Sequence, residues 1–548
     1  MAGTDAARLE LTWPNKDKFL LLPKGATGKP VWVERSHPAA SEVRLVDFTG
    51  SSGQVAAEAR RVTDNLLFTG DSLDVLRVLA EHPEFRREYR GKIKCVYIDP
   101  PFNTGQTFEH YDDWMEHSTW LSFMRDRLLL IHELMAPEGT VWIHLDNYEV
   151  HRMRCLMDEV FGAGMFINTV VWQRTTAKSS ARRGMGTMYD NLLVYGRSDA
   201  SRLNGVITAY SVDYLQTKYG KSDHRGRFRL GDLTAPGVRS GDSGQPWGGH
   251  DPGSKNRHWA APKINGLLDT EWPRLTTRGR LDALLENGYI QPGVKVGSAP
   301  QFKRYLSEAG GVALGDLWTD LTVINSQAKE RTGYDTQKPE ALLERVVLMS
   351  SEPGDVVLDV FGGSGTTAGV AQKTGRRWLM AEVLPATTDG FSRPRLQRIV
   401  DGIDSDGGVP LPLEAAKSGF RSIRVGPSMY EVAENGTPLL AAWATNGLFS
   451  RGIAAQLDFD FQDDGAPFCG YRGRMRLAVL DGAVGPEEVR TLVAGLAADE
   501  RVTVVAKVVL PGAEEMLASL SKGSRIRKAP RDVLADGIRR ERRRETAR

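Results

Sequence analysis

A chain of 548 residues is too long for one ordinary core and points to two to four domains. Apolar and charged fractions of 41% and 26% are those of a soluble globular protein, and no apolar run approaches the roughly 18 residues of a membrane span. A net charge of +2 excludes a uniformly basic surface, and the scattered Cys95, Cys155 and Cys469 form neither a zinc nor a disulfide framework.

In chain order, residues 1–60 form an N-terminal extension in which LTWPNKDKFLLLP and PVWVERSHP read as short strands between Pro/Gly turns. The N-terminus MAGTDAARLE lacks the apolar core of a signal peptide, and a reducing cytosol is expected. NLLFTGDSLDVLRVLA (65–80) predicts a strand, a Gly-Asp turn and a helix begun by Asp71 or Ser72. KCVYI (94–98) has the pattern of a buried parallel strand. Helices are predicted over 118–136 and 149–162, with the strand TVWIHLD (140–146) between them. From about 174 to 330 the alternation dissolves into Gly-rich, loop-like stretches. It resumes with a helix at 339–351, a strand at 356–361, a helix at 365–375 and a strand at 377–383. The reading is an α/β, doubly wound sheet whose halves, 61–173 and 331–424, are separated by an insert over 174–330. A smaller C-terminal α/β unit follows over 425–548 and ends in RRERRRETAR, a charged tail.

VVLDVFGGSGTTAGV (356–370) places Gly363 and Gly365 between a strand and a helix, where glycine lets the backbone turn sharply beside a ligand. Glu382 ends the next strand, where an acid can accept from two ribose hydroxyls. The turn has no Walker lysine. GSGTTA also fits a nicotinamide dinucleotide, so the turn alone leaves the nucleoside cofactor open.

The strand KCVYI runs into Asp99-Pro100-Pro101-Phe102. That corner suits alkylation of an exocyclic base amine, whose lone pair is delocalised into the ring. Asp99 and the Pro100 carbonyl would accept from the amine and offset the charge that develops on nitrogen. Proline adds a fixed φ and no competing donor. Phe102 offers a face for a flipped base, worth about 1–3 kcal/mol of stacking. A nicotinamide oxidoreductase gives no reason for such a corner.

These residues resemble the DNA amino-methyltransferases that use S-adenosylmethionine. Asp99-Pro100-Pro101-Phe102 resembles their [DNS]-P-P-[YFW] motif, Phe361-Gly362-Gly363-Ser364-Gly365 resembles F-x-G-x-G, and GYDTQKPEALLERVV resembles their T-Q-K-P segment. Catalytic motif, long insert, then cofactor motif is the order of the β group, and the resemblance covers about 60–400. It implies a Rossmann-like methyltransferase domain holding a target-recognition insert. It also implies catalysis by Asp99, Pro100, Pro101 and Phe102. S-adenosylmethionine would be bound by Asp71 (at the adenine amino group), Lys338, Asp359, Phe361, Gly363, Gly365, Thr366 and Glu382. Asp followed by NTG is closer to N6-adenine than to N4-cytosine enzymes, which stay as the alternative. The large insert and C-terminal unit resemble type III modification subunits and related solitary enzymes. Double-stranded DNA is the implied partner, with a restriction or helicase subunit and a homodimer as further partners and a cytoplasmic, nucleoid-associated location. A DNA-recognition subunit that directs a partner nuclease is the alternative of another class.

Sequence readout needs side chains delivered into a groove. Arg174, Lys178, Arg182 and Arg183, in a Gly/Ser/Thr-rich stretch, are the candidate DNA contacts. Trp247 and Trp259 read as packing anchors, and His110, His132, His144 and His151 lack metal-ligand spacing and read as structural or surface residues.

Overall fold

The apolar runs at 93–98, 356–359 and 377–382 become inner strands of one ten-stranded sheet. In this computed structural model every residue is described except 1–9, 22–29, 104–105, 108–111, 114, 176–184, 209, 211, 265, 296, 326, 404–407, 434–436, 463–466 and 547–548. Across the sheet the strands are Leu317–Trp318, Phe166–Gln173, Tyr189–Gly196, Met135–Leu145, Ile93–Ile98, Val356–Asp359, Arg377–Glu382, Asn65–Thr69, Phe420–Val425 and Val46–Ser52. Neighbours from Met135–Leu145 through Phe420–Val425 pair in parallel. Such strands are buried on both faces, which is why they read as continuous apolar runs.

One feature of the connectivity positions the site. Ile93–Ile98 leads through helix His117–Leu134 to its neighbour on one side, Met135–Leu145. Val356–Asp359 leads through helix Thr366–Lys373 to its neighbour on the other side, Arg377–Glu382. The two strands are themselves adjacent, with Val357 opposite Cys95 and Leu358 opposite Val96. The chain therefore diverges between them, and such a switch point leaves a crevice at the carboxyl ends.

Helix Ser72–Glu81 begins at Asp71, whose side chain accepts from the Leu73 amide at 2.8 Å. Helix His117–Leu134 ends two residues before the expected 136, and Met135 already belongs to the next strand. Gly139 is required within that strand, because a Cβ there would lie 2.8 Å from the Ile93 carbonyl oxygen.

The boundaries differ from the expected ones in two places. The separately compact unit is Gly205–Leu314, narrower than 174–330, because Tyr189–Gly196 pairs antiparallel with Met135–Leu145 and belongs to the large sheet. The N-terminal extension supplies the edge strand Val46–Ser52. The strand Phe420–Val425, at the expected boundary of 424, pairs in parallel with Asn65–Thr69 and so joins the large sheet.

Gly205–Leu314 has its own antiparallel sheet, in the order Lys221–Asp223, Gly226–Asp232, Gln301–Tyr305, Ile290–Gln291. Its core holds Phe228, Trp247, Trp259, Trp272 and Tyr305, so both anticipated tryptophan anchors are buried.

The C-terminal segment carries a five-stranded sheet in which Met475–Val484, Arg501–Val509 and Arg525–Lys528 are parallel. The charged tail is a helix, Arg531–Thr546, docked on the large domain. Arg544 donates to Glu81 at 3.0 Å and to Glu133 at 2.7 Å and pairs with Glu541, while Arg540 reaches Glu81 at 2.9 Å. Among the described residues no helix is long and apolar enough to cross a membrane.

Candidate active site

Both motifs open on one cavity of about 1080 Å³ at the switch point. Asp99, Pro100, Pro101 and Phe102 line it from one strand end, and Asp359, Phe361, Gly363 and Thr366 from the next. Asp71, Lys338, Glu382 and Arg174 complete the sequence-derived residues on its wall. Gly365 is the N-cap of helix Thr366–Lys373, just behind the turn. Lys178, Arg182 and Arg183 lie outside the described residues.

The corner is held from behind. Trp120 Nε1 donates to the Pro101 carbonyl at 2.8 Å, whereas no described residue hydrogen-bonds the Pro100 carbonyl. Asn103, at φ 61°, donates to the fully buried Glu149 at 2.6 Å, and His117 shares the same carboxylate oxygen at 2.5 Å. Lys338 Nζ donates to Asp99 Oδ2 and sits 5.2 Å from the Phe102 ring centroid. Asp99 Oδ1 is buried and has no hydrogen-bond partner among the described residues.

The glycine turn is shaped by its backbone. Gly363 has φ 47° and Gly365 φ 81°, and a Cβ on Gly363 would lie 3.1 Å from the Tyr334 ring. The Gly363 amide donates to Glu382 Oε2 at 3.1 Å, and the Leu384 amide to Oε1 at 2.9 Å. Burial raises the Glu382 carboxyl against these two bonds. Asp359 is fully buried and is pushed up to about 7, although bonds from Thr367 Oγ1 at 2.6 Å and the Phe361 amide at 2.9 Å oppose the shift. Thr366 Oγ1 accepts from Arg395 at 2.8 Å. Asp71 is doubly engaged, as helix cap and as acceptor from Arg127 at 2.9 and 3.0 Å. Arg127 in turn lies 3.5 Å over the Phe123 ring, whose centroid is 6.0 Å from that of Phe361.

A second polar group escaped the sequence reading. Tyr97 Oη contacts His144 Nδ1 at 2.8 Å, His144 Nε2 contacts Asp190 Oδ2 at 3.1 Å, and Asp190 Oδ1 faces Arg174 Nε at 3.1 Å. These residues lie on or just beyond four successive strands, and His144 also packs 5.8 Å from the Phe102 ring. Burial alone would raise the Asp190 carboxyl, but the bond and charge of His144 and the charge of Arg174 outweigh it and hold it low. The sequence reading singles out two of its members separately, Arg174 as a candidate DNA contact and His144 as a structural or surface residue, and does not join them.

Residues 93–389, more than half of the chain, match the DNA methylase family of N6 and N4 methyltransferases. The chain belongs to this family. Among curated relatives of this DNA methylase, the type II methyltransferase M.EcaI of Enterobacter cloacae is 31% identical over 380 residues, 68% of this chain and 74% of that protein. The Mod subunit of the type III restriction-modification enzyme StyLTI of Salmonella typhimurium is 28% identical over 344 residues, 56% of this chain and 49% of that one. The type II methyltransferase M.KpnI of Klebsiella pneumoniae is 26% identical over 394 residues, 66% of this chain and 85% of that protein. The DNA methylase thus spans about half the length of the type III subunit it matches.

Proposed function

We propose that this DNA methylase transfers a methyl group from S-adenosylmethionine to the N6 amino group of adenine in double-stranded DNA, as the modification component of a restriction-modification system. The observation that carries the reading is the single cavity shared by Asp99 and Gly363 at the ends of adjacent strands.

The wall fits a nucleoside-bearing donor. The positive-φ glycines bring backbone close to the cavity, Glu382 is a mostly buried acid on its rim, and Asp99 keeps one buried oxygen unengaged. When bound, S-adenosylmethionine supplies an electrophilic methyl group. The chain's own residues do the rest. Phe102 receives the face of the extruded base. Asp99 Oδ1 and the Pro100 carbonyl accept from its amino group, favouring a more tetrahedral nitrogen and offsetting the positive charge as the N–C bond forms. No strong base is needed, because the departing proton becomes acidic only after transfer.

Arg174 is the DNA-side candidate within the described site. The 205–314 unit, in which basic residues outnumber acidic ones, is the candidate sequence reader. A helicase-nuclease chain is the partner this reading suggests, and the bacterial nucleoid its place of work.

The test is incubation of the protein with S-adenosylmethionine and unmethylated DNA, followed by digestion and mass spectrometry of the nucleosides. N6-methyldeoxyadenosine is expected. N4-methyldeoxycytidine would reassign the base, and no methylated nucleoside would overturn the function.

A further inference from the structure

We infer that Lys338 is a positioning residue for Asp99: its ammonium engages one carboxylate oxygen so that the other is presented to the amine of the extruded base. The inference rests on the reading that Asp99 accepts from that amine, and it gives Lys338 a task that the T-Q-K-P resemblance, which assigns it to the cofactor, does not contain.

The geometry is specific to this pair. Lys338 Nζ is bonded to Asp99 Oδ2, and both side chains are largely withdrawn from solvent, at 15% and 17% exposure. A carboxylate has two oxygens to satisfy, and the buried Oδ1 has no hydrogen-bond partner among the described residues. Buried polar atoms in folded proteins are nearly always paired, so an unpaired one on a cavity wall is a reserved acceptor. The same ammonium lies 5.2 Å from the centroid of Phe102, within cation–π range. One cation therefore touches both the acid and the stacking ring.

Lys338 is itself fixed on both sides. Before it, Gln337 accepts from the Thr332 amide at 2.8 Å and donates to the Glu330 carbonyl at 2.7 Å. After it, Pro339 caps helix Glu340–Ser350. Glu340 is then clamped by Lys373 at 2.8 Å and Arg395 at 2.8 Å, all three buried. A lysine stem between two such anchors delivers its charge to a set place, which preorganises the acceptor before substrate arrives.

The experiment compares K338M, K338Q and K338R with the parent protein and with D99A. It uses steady-state methylation of a DNA established as substrate, calorimetric affinity for S-adenosylmethionine, and thermal melting. We expect K338M and K338Q to lower kcat at least about a hundredfold while the dissociation constant for S-adenosylmethionine changes less than about threefold, with K338R recovering part of the loss. A tenfold weaker affinity with kcat retained would overturn the inference and return Lys338 to the cofactor. Full activity in K338M beside an inactive D99A would overturn it alone. Activity in both K338M and D99A would overturn the amine-transfer reading as well. If K338M does not fold, K338Q and K338R decide by the same criteria.

Discussion

The Gly363 amide donates to Glu382 at 3.1 Å, so the turn after one strand is tied to the end of the next. That tie, the φ of 47° and the Tyr334 ring at 3.1 Å from a Cβ make a side chain at 363 strained and crowded. A β-branched residue in the left-handed region costs about 1–2 kcal/mol before the ring is displaced. Gly363→Val should therefore weaken S-adenosylmethionine binding by about tenfold or more, measured by calorimetry. Unchanged affinity would remove the turn from the donor site.

Asp99→Ala should reduce methyl transfer by roughly a thousandfold, the upper range for losing one preorganised electrostatic partner. Donor affinity should stay within about threefold, because the proposed mechanism puts Asp99 beside the base and not the donor. Radiolabelled methyl incorporation and calorimetry read the two effects separately, and a variant with near-parental turnover would be incompatible with the mechanism.

Asp359 makes stability depend on pH. Burial lifts its carboxyl to about 7 from an ordinary 3.8, so the folded state favours the protonated form. Its contribution to stability is complete below about pH 4, is lost as pH rises toward 7, and is level above that, by up to about 4 kcal/mol. Asp359→Asn keeps an acceptor for the Phe361 amide and cannot ionise. Its melting temperature relative to the parent should rise between pH 5 and pH 8. A difference that is the same at both values would show that the group does not titrate in this window.

Arg544→Ala should destabilise the protein by roughly 3 kcal/mol, the lower end for breaking a buried ion pair, because Arg540 still faces Glu81. Urea unfolding checks this. A loss within experimental error would show that the Arg544 ion pairs add nothing to the docking of the helix.

The parts of the site legible in the sequence were those written in consecutive residues. Asp99 to Phe102 and the glycine turn each occupy one strand end, and five- or six-residue apolar runs marked the strands before them. What stayed hidden was assembled across the chain. The Lys338–Asp99 contact, the Tyr97–His144–Asp190–Arg174 series and the Arg127–Asp71 pair join residues tens to hundreds of positions apart, and none leaves a local pattern. Tyr189–Gly196 gives little strand signal because Gly- and Arg-rich sequence surrounds it, although its pairing with Met135–Leu145 is regular. The run RRERRR reads only as a charged tail, since its partners Glu81 and Glu133 belong to distant helices and leave no local signal of the docking.

Asp99 and Lys338 are 239 positions apart. During synthesis the acid leaves the ribosome long before the cation that is to meet it. On the proposed mechanism, a truncated product ending inside the insert would hold Asp99 without Lys338 or the glycine turn, and such a fragment should not methylate DNA.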